Sequence, residues 1–367
     1  MNFNNLCYQP LKLNSCRVAR SYIGGVMIEK WQMKDNPEDG YKPEEWVSST
    51  VEARNPKPVL NEGLSTVKLE NGDNVLLKDI ITSNPVSFLG ESHVKKYGNN
   101  MAVLVKVLDS YCRLTLQVHP DRIYSKKELS SDFGKTEAWY VLGGRIIDGQ
   151  EPYVLLGFKP QITKEIWAGL FKNQDISGME NALHRFNVKP GDVFFVEGGV
   201  PHAIGAGCFI VEIQEPTDIT MKPEKISPNG VKFSDERCHL GVGFDKMLDC
   251  FHYDTYSFDE MTQKYKLKPS VIRDEAGGKE TTLISSENTS YFSMNKLEVT
   301  GSFKSVKEES FTVVIVTSGS GKLIWEGGEM DLLQSDEIFL PASLGDIVWE
   351  SKGSDSLNII RCYPSRQ

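Results

Sequence analysis

The chain has 367 residues, of which 40% are hydrophobic and 25% charged; this is the balance of a soluble globular protein long enough for more than one compact unit. Its formal net charge of −9 gives it a field that repels nucleic acid and acidic membrane surfaces, so neither is expected as a partner. A phosphate-bearing ligand must then be met by a few placed cations. Cysteines stand at 7, 16, 112, 208, 238, 250 and 362, an odd number without a C-x-x-C pair; reduced thiols in a cytoplasmic protein fit this better than a disulfide framework. Residues 1–20 lack the apolar core of a secretory leader, and MAVLVKVL at 101–108 is interrupted by Lys106 and too short to span a bilayer.

Taken in chain order, short apolar runs separated by Gly, Asp, Asn and Pro predict strands at 102–108, 113–119, 137–142, 153–157, 193–197 and 208–214. Between the fourth and fifth of these, Thr163 reads as the N-cap of a helix reaching Phe171, and a second short helix is predicted over Ser177 to Phe186. The stretch 244–266 follows no single period. The end of the chain resembles its middle. VKPGDVFFVEGG at 188–199 is echoed by LQSDEIFLPAS at 333–343, and TEAWYVLGGR at 136–145 by FTVVIVTSGSG at 311–321. Two copies of one β-barrel unit are therefore expected. Aligning Asp192 with Asp336 puts Asp346 opposite His202, and the last histidine of the chain is His252. If one copy holds a metal, it is the first.

The chemistry concentrates in that first copy. In RLTLQVH, Leu114, Leu116 and Val118 alternate with Thr115, Gln117 and His119, which puts the polar set on one face. That face is either a solvated exterior or the lining of a site. Lys135 and Glu137 share a face of the 137–142 strand, Lys106 interrupts an otherwise apolar run, and His202 lies in the Gly-rich turn EGGVPHAIGAG. Gln117, His119, Glu137 and His202 together offer two imidazoles, a carboxylate and an amide oxygen. Such N/O donors suit Zn²⁺ in an open catalytic site or another divalent metal, and two His with one carboxylate also describes non-haem iron oxygenases.

In these residues the sequence resembles the type I phosphomannose isomerases (mannose-6-phosphate isomerases) of the cupin superfamily. The matching segments are LVKVLD at 104–109, LTLQVHPD at 114–121, GKTEAWYVL at 134–142, PGDVFFVEGGVPHAIGAG at 190–207 and EIQEPTD at 212–218. Gly24–Gly25 and the set Glu44, Trp46 and Ser49 also look like the family's N-terminal pattern. The resemblance implies a mainly β fold of two cupin-type, jelly-roll barrels with a short helical insertion at about 161–186. The expected division is an N-terminal segment 1–84, a metal-binding barrel 85–225, a connecting segment 226–289 and a metal-free barrel 290–367. It also implies one Zn²⁺ per chain on Gln117, His119, Glu137 and His202, with Lys135 in the active site and Thr115 and Lys106 lining the sugar-phosphate pocket. The implied reaction interconverts mannose 6-phosphate and fructose 6-phosphate through an enediol. One departure stands out. Lys222 occupies the spacing at which the family commonly has Arg; Lys keeps the charge but lacks the planar fork. Lys222 joins Lys135 as a candidate for catalysis and substrate binding. A cupin isomerase for another sugar phosphate, a metal-dependent oxygenase and a non-catalytic sugar-phosphate sensor are the competing readings.

Overall fold

Residues 3–365 are described by a computed structural model. Strands hold 35% of the chain and helices 20%, so the fold is mainly β. Among the described residues no helix is long and apolar enough to cross a membrane.

The first half contributes β1 (Glu44–Val47), β2 (Leu104–Asp109), β3 (Glu137–Gly144), β4 (Tyr153–Phe158), β5 (Leu183–Asn187), β6 (Val193–Val196), β7 (His202–Ile204) and β8 (Cys208–Gln214). A seven-stranded sheet runs Lys266–Leu267, β6, β3, β8, β2, β1, Arg17–Val18, and a three-stranded sheet runs β7, β4, β5. The second half contributes β9 (Ser270–Glu275), β10 (Gly278–Ile284), β11 (Phe292–Val299), β12 (Ser302–Ser305), β13 (Thr312–Ser318), β14 (Ser320–Trp325), β15 (Gly328–Leu333), β16 (Glu337–Leu340), β17 (Ile347–Ser351) and β18 (Leu357–Pro364). Here the seven-stranded sheet runs Leu11–Lys12, β16, β13, β18, β11, β10, β9, beside a four-stranded sheet β12, β17, β14, β15.

The internal repeat predicted from the sequence recurs in the strand order. β6-β3-β8-β2 in the first half matches β16-β13-β18-β11 in the second, and β7-β4 matches β17-β14. The aspartates that prompted the alignment do the same work in each copy. Asp192 accepts from the Lys189 amide at 3.1 Å and Asp336 from the Leu333 amide at 2.9 Å, fixing the turn before the strand. The helical insertion sits where the second half has only the tight β14–β15 turn. It consists of α1 (Lys164–Asn173), capped by Thr163 as predicted, and α2 (Ile176–Asn181). The second helix ends earlier than expected, because Leu183–Asn187 pairs with β4 as a strand.

Burial explains the apolar runs. The two seven-stranded sheets lie back to back: Val105, Val107, Ala138, Val211 and Ile213 share one core with Met294, Val313, Ile315, Phe339 and Ile360. The opposite face of the second large sheet closes on its small sheet through Leu297, Val314, Leu323, Trp349 and Leu357. Strands buried on both faces read as continuous apolar stretches rather than alternating ones.

Three expectations are corrected. Among the described residues no sheet closes into a barrel; the sheets are open. Residues 113–119 are extended but form no ladder, only single bridges from Gln117 to His202 and from Val118 to Met221, so no continuous pairing joins the large and small sheets there. Helices at Leu77–Ser83, Pro85–Leu89, Glu91–Tyr97 and Arg122–Glu128 were not anticipated, and 244–266 resolves into helices Phe244–Asp249 and Phe258–Tyr265.

Candidate metal centre

The 113–119 segment and the turn before β7 bring His119 and His202 together. Gln117 and His202 exchange backbone hydrogen bonds of 3.0 and 2.9 Å, and the Gly199 amide donates to the His119 carbonyl at 2.7 Å. The turn needs its glycines. A Cβ on Gly198 would lie 2.7 Å from Asp121 Cα, and one on Gly199, whose φ is +88°, would lie 2.5 Å from the His252 ring. His252, which had no assigned context in the sequence, therefore packs against this turn while meeting Asp121 at 3.3 Å. Glu137 opens β3 and faces the two imidazoles.

His119 Nε2 and His202 Nε2 each lie 3.3 Å from a different oxygen of Glu137. The three donor atoms fall within 4.8 Å of one another. Ligands bound to zinc at about 2.0–2.1 Å in a tetrahedron stand about 3.3 Å apart, the distance from each imidazole to its Glu137 oxygen. Each imidazole is fixed through its other nitrogen: His119 Nδ1 lies 2.9 Å from the Ile219 carbonyl and His202 Nδ1 2.9 Å from the Val200 carbonyl. A proton on Nδ1 serves both contacts and turns each Nε2 lone pair into the site. Gln117 places its amide 3.1 Å from His202 Nε2, and a half-turn of that amide presents its oxygen instead. Glu137 Oε2 is buried and makes no hydrogen bond among the described residues, its nearest charged neighbour being the Lys135 ammonium at 3.4 Å.

Lys135 lies inside this set. Its Nζ is 2.9 Å from His119 Nε2 and 3.4 Å from Glu137 Oε2. Burial, then Lys135, pushes the His119 imidazole down to about 3, which keeps it neutral and able to ligate. Burial would raise the Glu137 carboxyl, but Lys135 and then His119 outweigh it and hold it well below the usual carboxylate range. The solvated-exterior reading of the polar face at 115–119 fails, since Thr115, Gln117 and His119 are all buried.

The set opens into a cleft of ≈ 970 Å³ lined by Thr115, Gln117, Lys135, Lys106 and Lys222, among others. All eight residues singled out from the sequence thus lie in one neighbourhood: three as a donor cluster, Gln117 and Lys135 in contact with it, and Thr115, Lys106 and Lys222 along the cleft. Sequence reasoning gave no role to Glu212 and Glu44, the carboxylates beside Lys106. Its Nζ meets Glu212 at 3.0 Å and Glu44 at 3.8 Å; Arg20 then links Glu44 at 2.9 Å to Asp218 at 3.2 Å. A signal existed, because Glu212 interrupts the apolar run CFIVEIQ just as Lys106 interrupts AVLVKVL, and the two stand cross-strand.

Comparison with known proteins gives the chain its relatives. Residues 39–137 match the family model for the catalytic domain of type I phosphomannose isomerase, and residues 280–364 that for the cupin domain of mannose-6-phosphate isomerase. The mannose-6-phosphate isomerase ManA of Bacillus subtilis is 26% identical over 285 residues, covering 77% of this chain and 83% of its own. The mannose-6-phosphate isomerase of Streptococcus mutans is 27% identical over 291 residues, covering 77% and 82%. Among solved structures, a mannose 6-phosphate isomerase from Bacillus subtilis superposes with a TM-score of 0.73 at 22% identity, over 96% of this chain and 99% of that one.

Proposed function

Because the chain belongs to the type I phosphomannose isomerases of the cupin superfamily, we propose that it interconverts mannose 6-phosphate and fructose 6-phosphate with one Zn²⁺ per chain. The observation that carries this reading is the buried His119–Glu137–His202 cluster, with zinc-compatible spacing, at the end of a cation-bearing cleft. His119, Glu137, His202 and Gln117 would hold the metal, and all four offer nitrogen or oxygen. When bound, Zn²⁺ supplies Lewis-acid polarisation of the sugar's carbonyl and hydroxyl oxygens.

The chain's own residues supply the rest. Isomerisation removes the proton from C2 and returns one to C1, while O1 gains a proton and O2 gives one up. Lys135, held at 2.9 Å from His119 Nε2, serves this traffic as acid and base; so close to Glu137 a phosphate dianion would meet a carboxylate, which disfavours the alternative role of phosphate anchor. Thr115 and Lys106 line the sugar end, and Lys222 meets the phosphate. In domain terms, 85–225 forms the metal-binding cupin-type unit together with Arg17–Val18 and Glu44–Val47 from the N-terminal segment, and 290–367 forms its metal-free copy together with Ser270–Glu275 and Gly278–Ile284 from the connecting segment. A cytoplasmic setting suits the seven unpaired cysteines.

The test is metal analysis of the purified protein together with a coupled assay over a panel of hexose and pentose 6-phosphates. The expected result is about one zinc per chain and turnover of mannose 6-phosphate that chelation abolishes. Iron with oxygen consumption would move the chain to the oxygenases, and metal-loaded protein inert towards every sugar phosphate would remove the isomerase reading.

A further inference from the structure

Lys222 gives the cleft a point charge where a fork is commonly found, and a guanidinium beside the same ring comes from a part of the chain that carried no motif. The Lys222 amide donates to the Cys238 carbonyl at 2.9 Å, which seats the 235–239 helix against the Lys222 segment. Arg237, on that helix, lines the same cleft as Lys222. The two cations flank one ring: Lys222 Nζ is 5.6 Å and the Arg237 guanidinium carbon 5.8 Å from the Phe233 centroid. Both distances sit at the outer reach of a cation–π contact, so the ring shields the charges more than it binds them.

Neither cation has a carboxylate partner among the described residues. The Lys222 ammonium makes one long hydrogen bond, 3.3 Å to the Thr220 carbonyl, and among the described residues the Arg237 side chain makes no hydrogen bond or ion pair. The adjacent carboxylate, Asp218, is already engaged: Arg20 grips both its oxygens at 3.2 Å and the Arg54 amide donates to it at 2.7 Å. Two other cations of this cleft are paired, Lys106 with Glu212 and Arg20 with Glu44. Two unpaired, partly desolvated cations side by side repel each other and cost stability unless an anion joins them. Burial pushes the Lys222 ammonium down to about 8, Asp218 opposing and Arg237 adding to the shift, and burial also lowers the Arg237 guanidinium against Cys238 and Asp218. A dianionic ligand reverses both effects.

We infer that Arg237 and Lys222 together form the phosphate-monoester subsite of this cleft, Arg237 supplying from the 235–239 helix the planar fork that Lys222 lacks. The inference rests on the sugar-phosphate reading and names a residue that it left unassigned. It also answers the global charge problem, since a protein of net charge −9 must gather local positive charge to hold a phosphate. Arginine grips phosphate oxygens with two parallel N–H donors, whereas lysine meets them as a point charge.

The experiment compares wild type, Arg237→Ala and Arg237→Lys, all zinc-loaded, by steady-state kinetics with mannose 6-phosphate and by calorimetric titration with inorganic phosphate. Losing a charge-assisted bond costs about 10- to 100-fold. Arg237→Ala should raise KM by that factor with kcat within about threefold, and should weaken phosphate binding in parallel; Arg237→Lys should recover part of both. Unchanged KM and unchanged phosphate binding would overturn the subsite, as would a fall in kcat with KM untouched. Should the alanine variant not fold, the lysine variant alone decides, because loss of the fork must still weaken phosphate binding. A wild-type protein inactive on mannose 6-phosphate would defeat the isomerase reading, and the phosphate titration would still judge Arg237.

Discussion

At matching registers of the two large sheets stand Glu44, Lys106 and Glu212 in the first half and Glu280, Asn295 and Arg361 in the second. In each case the third residue pairs with the second across the central strands, Glu212 with Lys106 and Arg361 with Asn295. The carboxylate leads on the next strand: Glu44 pairs with Leu108 and Glu280 with Leu297. One backbone layout thus carries two polar clusters with opposite fates. In the second half, Arg361 binds Glu280 and donates to Ser305 at 3.0 Å, Asn295 donates to Glu280 at 2.7 Å, and Trp349 reaches Ser305 at 3.0 Å. Apolar side chains then fill the space between the sheets. In the first half the equivalent cluster lines an open cleft, and the three donors of the candidate metal centre stand beyond it. The difference teaches where function sits in the two halves: a polar cluster packed over by apolar side chains supports the fold, and a polar cluster that faces an open cleft can line a site.

Four experiments break or sharpen this contrast. The largest effect is expected from His119→Ala, which should lose bound zinc and lower turnover by about 10³-fold or more, while thermal unfolding still reports a folded second half. Metal retention with full activity would erase the assignment of the first copy as the site. Lys135→Ala should keep its metal, measured by elemental analysis, and lose about 10²- to 10⁴-fold in kcat. In the scaffold copy, Arg361→Ala strands buried Glu280 and should cost about 3–5 kcal/mol by denaturant unfolding, with kcat/KM of the folded fraction unchanged. A kinetic defect there would mean the second half is more than a support.

The smallest effect concerns the seam between the halves. Glu337, on β16, is buried with neither oxygen hydrogen-bonded among the described residues. Burial, then Glu45 and Asp336, raises its carboxyl well above the ordinary range, with Arg17 opposing. The unfolded chain releases this proton near about pH 4.3 while the folded chain keeps it. Stability therefore falls as pH rises through that value and on towards the raised folded-state pKa. Glu337→Gln should flatten this slope and raise Tm at neutral pH; a slope identical to wild type would show that the folded carboxyl is not held protonated.

Much of this was legible in the sequence because it depends on local patterns. The apolar runs at 104–109, 153–158 and 208–214 are strands, and Thr163 caps its helix. The QVH segment and the Gly-rich turn at 197–202 pointed to the donor cluster, since a period-two alternation aims alternate side chains one way even without a ladder. What stayed hidden depends on partners far along the chain. The bridge partners of Gln117 and Val118 are single residues at 202 and 221, which no periodicity encodes. Likewise Arg237 carries no local signal; its meaning comes from Phe233 and from the backbone bond that brings Lys222 alongside.

The first strands of the chain have a consequence for synthesis. Arg17–Val18 joins the sheet of the first half, whereas Leu11–Lys12, only a few residues earlier, pairs with Glu337–Leu340. A ribosome therefore delivers one of these two neighbours to its partner early and leaves the other waiting for roughly three hundred residues. Until the last strands emerge, the outward face of the first large sheet is also uncovered, because its cover is the sheet still being made. The nascent enzyme thus passes through a long interval as a sticky half-molecule, the stage at which chaperones and proteases would meet it.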